Sequence, residues 1–154
     1  MRKPMNKKVC ALVLLPLVIS LPVIAKTGVE SDDQAIAQRQ TAFSSIESDL
    51  KTASKSIDGQ DTDWQQLALL SAQLTEHSKA LMTLFPEGSQ SGSKAKKEVW
   101  NKPEKFKVLL AQMDTGFQQM YQASEQQNLN ELKAGLSQVE KTCRGCHRSY
   151  RARF

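Results

Sequence analysis

The chain has 154 residues with 21 basic and 16 acidic side chains, a formal net charge of +5. With only 7 glycines and 5 prolines, it has the length and composition of one domain. The basic residues are not interleaved with aromatic residues and no nucleic-acid-binding fold is indicated, so the composition argues against a nucleic-acid partner.

The first 25 residues have the features of a cleaved signal peptide. Four basic residues within the first eight precede an apolar run over 9–24, and residues 23–25 place small side chains where a signal peptidase reads them. The run is short for a membrane span and contains Pro16 and Pro22. We therefore predict cleavage after Ala25, export to the periplasm and a mature domain over 26–154 without a membrane span; an uncleaved anchor is the alternative.

Cleavage changes the distribution of charge. The mature chain keeps 17 basic and 16 acidic residues, a net charge of +1. Residues 26–93 carry 5 bases and 10 acids, whereas residues 94–154 carry 12 bases and 6 acids. Most of these charges are expected on solvated helix faces, and a docking surface is the alternative.

The first half of the mature chain predicts two amphipathic helices. The first begins at Ser31 with a capping box and ends at Asp58 and Gly59. Its apolar stripe consists of Ile36, Phe43, Ile46, Leu50, Ala53 and Ile57. The second helix follows a capping box that starts at Thr62, and it stops at Pro86.

The second half predicts a loop and two more helices. Residues 86–97 are rich in Ser, Gly and Lys and form the loop, long enough to cover part of a cofactor. The third helix starts near Pro103, and Asn128 caps the fourth after a break of a couple of residues. Helices of this length joined by short links predict an all-α fold, an antiparallel four-helix bundle.

The sequence Cys143-Arg144-Gly145-Cys146-His147 has the C-x-x-C-H spacing of covalent haem c attachment. On a helix these cysteines and the histidine share one face, as one flat ligand requires. A zinc site completed by His77 and a thioredoxin-like dithiol are the alternatives. Because the cysteines continue the apolar stripe of the fourth helix, we expect the cofactor inside the bundle.

The chain resembles class II c-type cytochromes, the cytochrome c′ family. The resemblance rests on the haem motif near the C-terminus of the last helix, on Arg39-Gln40 in the first helix, and on the segments 85–88 and 98–100 that flank the loop. It implies one haem c, attached through Cys143 and Cys146, with His147 as the proximal iron ligand.

The resemblance also implies which residues contact the haem. In methionine-ligated members the distal methionine lies four residues after the arginine of the Arg-Gln pair, and here that position is Phe43. This implies a five-coordinate iron with an apolar distal wall; His77 as a sixth ligand is the alternative. Arg39, Met82 and Arg151 are the other predicted cofactor-binding residues. Met82 is expected toward the distal side, with core packing as the alternative, and Arg151 near the proximal face, with a solvated arginine as the alternative.

Two functions follow from this interpretation, and neither is an enzyme activity. The first is single-electron transfer to a periplasmic redox partner protein. The second is binding of NO or CO, because an apolar pocket accepts neutral diatomic gases. A peroxidase would need distal acid–base groups that are not found near Phe43. The family's tendency to dimerise through the first two helices makes a homodimer one expected assembly.

Overall fold

A computed structural model describes residues 28–57 and 61–153, and within that part of the chain the fold is helical. Its five helices are α1 (Gly28–Ile57), α2 (Trp64–Leu81), α3 (Glu98–Asn101), α4 (Pro103–Glu125) and α5 (Leu129–Tyr150). The four long helices form the predicted antiparallel bundle, in which α2 packs on α1 and α4, and α5 packs on α4. The predicted signal peptide and the predicted helix end at Asp58 and Gly59 lie outside the described residues.

Each long helix buries one stripe of side chains, as its sequence period predicts. The side chains that are fully or almost fully buried include Ala53, Leu67, Leu74, Leu81, Phe117, Met120, Leu132 and Val139. None of the helices in the described part of the chain has the length and apolar character needed to cross a membrane.

The starts of the first two helices differ from the predicted ones. Helix α1 begins at Gly28, which places Ser31 within its first turn. In α2 the capping residue is Asp63 instead of Thr62, because Asp63 is extended and its carboxylate accepts a 2.9 Å hydrogen bond from the Gln66 N–H.

Helix α2 also ends earlier than predicted, at Leu81. The next residues form tighter turns, in which the Leu84 N–H donates to the Leu81 carbonyl at 3.3 Å. Phe85 precedes Pro86, and the proline ring disfavours helical geometry at the residue before it.

The link between α4 and α5 is short, as predicted. Gln127 has a φ of 53°, and this left-handed residue allows the Asn128 N–H to donate to the Ala123 carbonyl at 2.8 Å. The Asn128 side chain then accepts from the Glu131 N–H at 3.2 Å and starts α5. One asparagine therefore closes the end of α4 and caps the start of α5.

Candidate functional site

The C-x-x-C-H motif occupies the last two turns of α5. Cys143 and Cys146 are half-buried and pack against the hydrophobic core, whereas His147 is exposed. Their spacing places the two sulfur atoms one turn apart on the inward side of the helix. The arrangement presents two thiols to the inside of the bundle and an imidazole beside them.

Burial determines the state of the two thiols. It raises the pKa of Cys146 to about 11, with a further contribution from Cys143, and it also raises the pKa of Cys143. Both thiols are therefore protonated at neutral pH. A thioredoxin-like dithiol needs a lowered pKa for nucleophilic attack, so these surroundings argue against that alternative.

The pKa of the His147 imidazole is shifted in the opposite direction, downwards. Burial lowers its pKa, the positive charge of Arg151 lowers it further, and Glu47 on α1 partly opposes both. The neutral imidazole, which is the form that ligates iron, is thus favoured near neutral pH.

Four aromatic rings connect α1 to the end of α5 at the same end of the bundle. Phe43 meets Phe85 with ring centroids 6.5 Å apart, Phe85 meets Phe106 at 4.7 Å, and Phe106 meets Tyr150 at 5.2 Å. Tyr150 lies one turn beyond Cys146. The structure therefore places Phe43 at the motif end of the molecule, in an apolar wall.

Arg39 lies beside this wall, and its guanidinium holds the loop after α2. It donates to the Leu84 carbonyl at 3.1 Å, to Ser89 Oγ at 2.7 Å and to the Ser89 carbonyl. The guanidinium carbon also lies 4.8 Å from the ring centroid of Phe85 and 5.8 Å from that of Trp100. Burial lowers the pKa of Arg39, and Asp32 partly opposes this.

Two further predicted contacts are exposed. Met82 follows the last residue of α2 and is 42% exposed. Arg151 is exposed too; its backbone N–H donates to the His147 carbonyl at 3.3 Å, and its positive charge acts on the His147 imidazole by lowering its pKa. Arg151 thus lies beside the predicted iron ligand, whereas Met82 is not among the described residues that pack against the hydrophobic core.

His77, the alternative ligand, lies on the outer surface between α1 and α2. Its Nε2 is 3.9 Å from the Asp49 carboxylate, and α2 does not pack on α5. Among the described residues no three His, Cys, Asp or Glu side chains converge on a common metal position. This geometry supports neither the zinc alternative nor a bis-histidine iron.

The packing of the bundle leaves one side suited to a flat apolar group. Helices α1 and α5 are neighbours, yet they touch at few residues, whereas the other three adjacent pairs pack along their lengths. The inward thiols of Cys143 and Cys146 and the ring of Phe43 belong to these two helices. The donor set, two thiols and one neutral imidazole, fits covalent haem.

The sequence analysis did not identify the rest of the aromatic wall. Phe85, Phe106 and Tyr150 come from three different parts of the chain, and only the fold brings them together. Trp100 fixes the loop by donating from its indole Nε1 to the Pro86 carbonyl at 2.8 Å. The sequence signal that could have identified it is Leu84-Phe85, two apolar residues directly before the polar loop that starts at Pro86.

A sequence model of the cytochrome C′ family matches residues 34–151 of this chain. The cytochrome c′ of Pararhodospirillum photometricum is 28% identical over 91 residues, which cover 53% of this chain and 73% of that protein.

Solved structures of cytochromes c′ have the same fold. That of Rubrivivax gelatinosus is 25% identical with a TM-score of 0.70, over 76% of this chain and 94% of that one. A ferrous variant from Alcaligenes xylosoxidans with bound NO is 22% identical with a TM-score of 0.74, over 80% and 97%. A third, described as having a ligand-controlled dimer dissociation, is 14% identical with a TM-score of 0.72, over 79% and 97%.

Proposed function

Because this chain belongs to the cytochrome c′ family, and so carries a haem c on Cys143 and Cys146, we propose that it is a periplasmic carrier of single electrons. The observation that carries the proposal is the position of the attachment residues. Both cysteines are only half-buried and His147 is exposed at the end of α5, so the group they hold lies within reach of another protein. His147 is the proposed iron ligand.

When bound, the haem would supply an iron that changes between the ferric and ferrous states. The protein's own residues fix and shield it. The two cysteines tie it to α5, the neutral imidazole of His147 supplies a lone pair, and the aromatic wall keeps water from the side of α1. Arg39 donates its hydrogen bonds to loop carbonyls and lies over the Phe85 ring, so its role is to position the aromatic wall.

Binding of NO or CO is a second candidate function, favoured by Phe43. Its ring supplies neither a ligand for iron nor a hydrogen-bond donor, and it packs against another phenylalanine. A relative with 22% identity is known with NO bound. An apolar surface of this kind accepts a neutral diatomic gas but does not stabilise polar bound dioxygen.

Optical spectra of the purified ferric and ferrous protein, with and without NO and CO, test the two candidates. A high-spin ferrous spectrum that shifts with both gases supports an open coordination position and gas binding. A low-spin spectrum unaffected by CO requires an internal sixth ligand and leaves electron transfer as the function. His77→Ala would then be the first variant to examine.

Phe43→Met tests the position of Phe43. If this residue faces the iron, the new thioether converts the spectrum towards low spin. Leu50→Met is the control, because Leu50 is half-buried on the same stripe two turns away. An unchanged spectrum in Phe43→Met would place Phe43 away from the iron.

Export is tested by the intact mass of protein from a periplasmic fraction. We expect the mass of residues 26–154 plus one haem, and an uncleaved N-terminus would contradict the proposal.

Sedimentation velocity on the same preparation tests the homodimer through α1 and α2 that the family resemblance leads us to expect.

A further inference from the structure

The C-terminal tail pairs with the loop that precedes α3. Ala95 and Arg151 face each other as an isolated antiparallel bridge. The Lys96 N–H donates to the Tyr150 carbonyl at 2.9 Å, and the Ala152 N–H donates to the Lys94 carbonyl at 2.8 Å. This pairing joins two segments about 55 residues apart in sequence, directly beside the haem-bearing turn of α5.

The pairing gathers six cations on one surface, which we call the strap surface. Its members are Lys94, Lys96, Lys97, Arg148, Arg151 and Arg153, all exposed except the half-buried Lys96. None of the six belongs to an ion pair among the described residues. Two carboxylates lie near this region: Glu98 lines a surface recess with Lys96 and Lys97, and the charge of Glu47 acts on the His147 imidazole.

Contacts within the protein explain the presence of only some of these six cations. Lys96 Nζ donates to the Arg148 carbonyl at 3.1 Å, and cations near the end of α5 favour the helix dipole. Within the described residues, the side chains of Lys94, Lys97 and Arg153 make no hydrogen bond or ion pair of this kind. Placing like charges on paired segments costs free energy, and the cost is recovered when negative charge approaches.

We propose that the strap surface is the docking site for an acidic redox protein that exchanges an electron with the haem. This inference rests on the proposed electron-carrying function and names the partner for it. Arg148 directly follows His147 in the chain, so a protein held by these cations lies next to the haem-bearing turn. The positive potential also raises the rate at which an acidic partner is encountered.

The surface fits a protein better than a lipid bilayer. Binding at a membrane interface requires large apolar side chains among the cations. The large apolar residues exposed in the described part of the chain are Leu69, Met82, Val108 and Tyr121. None of them belongs to the loop or the tail that forms the strap surface.

The test uses the ferrous holoprotein in stopped-flow oxidation by two small reagents, anionic hexacyanoferrate(III) and cationic tris(phenanthroline)cobalt(III). The surface variant combines Lys94→Gln, Lys97→Gln and Arg153→Gln, and leaves Lys96 and Arg151 in place. The control combines Lys51→Gln, Lys105→Gln and Lys133→Gln, three exposed lysines on α1, α4 and α5 outside the strap surface, so that both variants lose the same net charge. Matching haem spectra and helix content confirm that both are folded.

We expect the surface variant to react about tenfold more slowly with the anionic reagent at low salt, and faster with the cationic one. The control should change either rate by less than about twofold. An acidic cupredoxin, used as a protein probe, should also react about tenfold more slowly with the surface variant than with the wild type. Added salt should remove this difference in rate.

If the surface variant and the control lost the same fraction of the rate with the anionic reagent, the proposal would be overturned, because the change in net charge alone would then explain the loss. A second outcome would also overturn the proposal: the wild type binds phosphatidylglycerol vesicles, the surface variant does not, and both react with the cupredoxin at the same rate. The strap surface would then be a membrane-binding site. Slow reaction of the wild type with both reagents would instead contradict the electron-carrying function.

Discussion

Arg39 shows how much one buried side chain does in this fold. It is 3% exposed, and it joins α1 to Leu84 and Ser89 while it covers the faces of Phe85 and Trp100. A guanidinium satisfies several carbonyl acceptors at once because its donors form a rigid planar fork. The sequence predicted a haem contact at this position, and the structure adds a structural role next to the predicted site.

Replacing Arg39 should therefore destabilise the protein. We expect Arg39→Ala to lower the free energy of unfolding by about 3 kcal/mol, since buried loop acceptors lose their donors. Arg39→Lys should recover only part of this, because an ammonium lacks the fork. Urea denaturation of the holoprotein measures both, with the exposed neighbour Gln40→Ala as a control. A change of under about 0.5 kcal/mol for Arg39→Ala would contradict the prediction.

The attachment cysteines give a second prediction for single residues. Cys143→Ala or Cys146→Ala should each abolish full two-point attachment of haem, seen by haem staining of a denaturing gel and by intact mass. Gly145→Ala, between them, should attach haem normally because an added Cβ meets nothing within 4 Å. Unchanged covalent haem in either cysteine variant would disprove the assignment.

Helices α4 and α5 pack closely where two glycines face each other across the interface. A Cβ at Gly135 would lie 2.9 Å from Met120 Cγ and 3.0 Å from the Gly116 carbonyl oxygen. A Cβ at Gly116 would lie 2.6 Å from Val139 Cγ2. The two backbones can pack this tightly only because neither position has a side chain, and the tight packing holds the motif-bearing helix against the core.

Because α4 and α5 pack this tightly, alanine at either glycine should lower the free energy of unfolding. Gly135→Ala should lower the free energy of unfolding by about 2 kcal/mol, because its closest backbone neighbour cannot move aside. Gly116→Ala should be partly rescued by Val139→Ala, which removes the clashing methyl group. Urea denaturation measures all of these, with Gly145→Ala, where an added Cβ meets nothing within 4 Å, as the control. A stabilising Gly135→Ala would show that the helices lie further apart.

Over the whole molecule, packing is uneven. Three helix pairs are closely packed, and the fourth side, between α1 and α5, has few contacts. The aromatic wall and the inward cysteines lie at the end of the bundle where the loop and the tail meet. A haem attached to the two cysteines would add apolar contacts on this sparsely packed side.

Removal of the haem should therefore weaken the whole bundle. The doubly substituted variant, Cys143→Ala with Cys146→Ala, prepared without haem, should be less stable than the holoprotein by roughly 3 kcal/mol or more, because bound ligand and filled volume are both lost. Thermal unfolding followed by circular dichroism checks this. Equal melting temperatures with and without haem would show that α1 and α5 pack adequately alone.

The amino-acid sequence by itself determined the helical class, the number of long helices, the haem motif and the family. Those features depend on local information: an apolar period of three to four residues, Pro103 at a helix start, Asn128 as a cap, and two cysteines and a histidine at fixed spacing. Such signals act within one or two turns of chain, so they can be recognised without the fold.

Tertiary structure alone decided which distant residues meet. The partners of Arg39, the contacts from Phe43 to Tyr150, the close approach of Gly116 to Gly135 and the pairing of the loop with the tail all join segments far apart in sequence. The cap of α2 is also Asp63 instead of the predicted Thr62, because Asp63 has the extended backbone and its carboxylate accepts from the Gln66 N–H. These contacts depend on how the helices cross, which the hydrophobic period of a single helix does not specify.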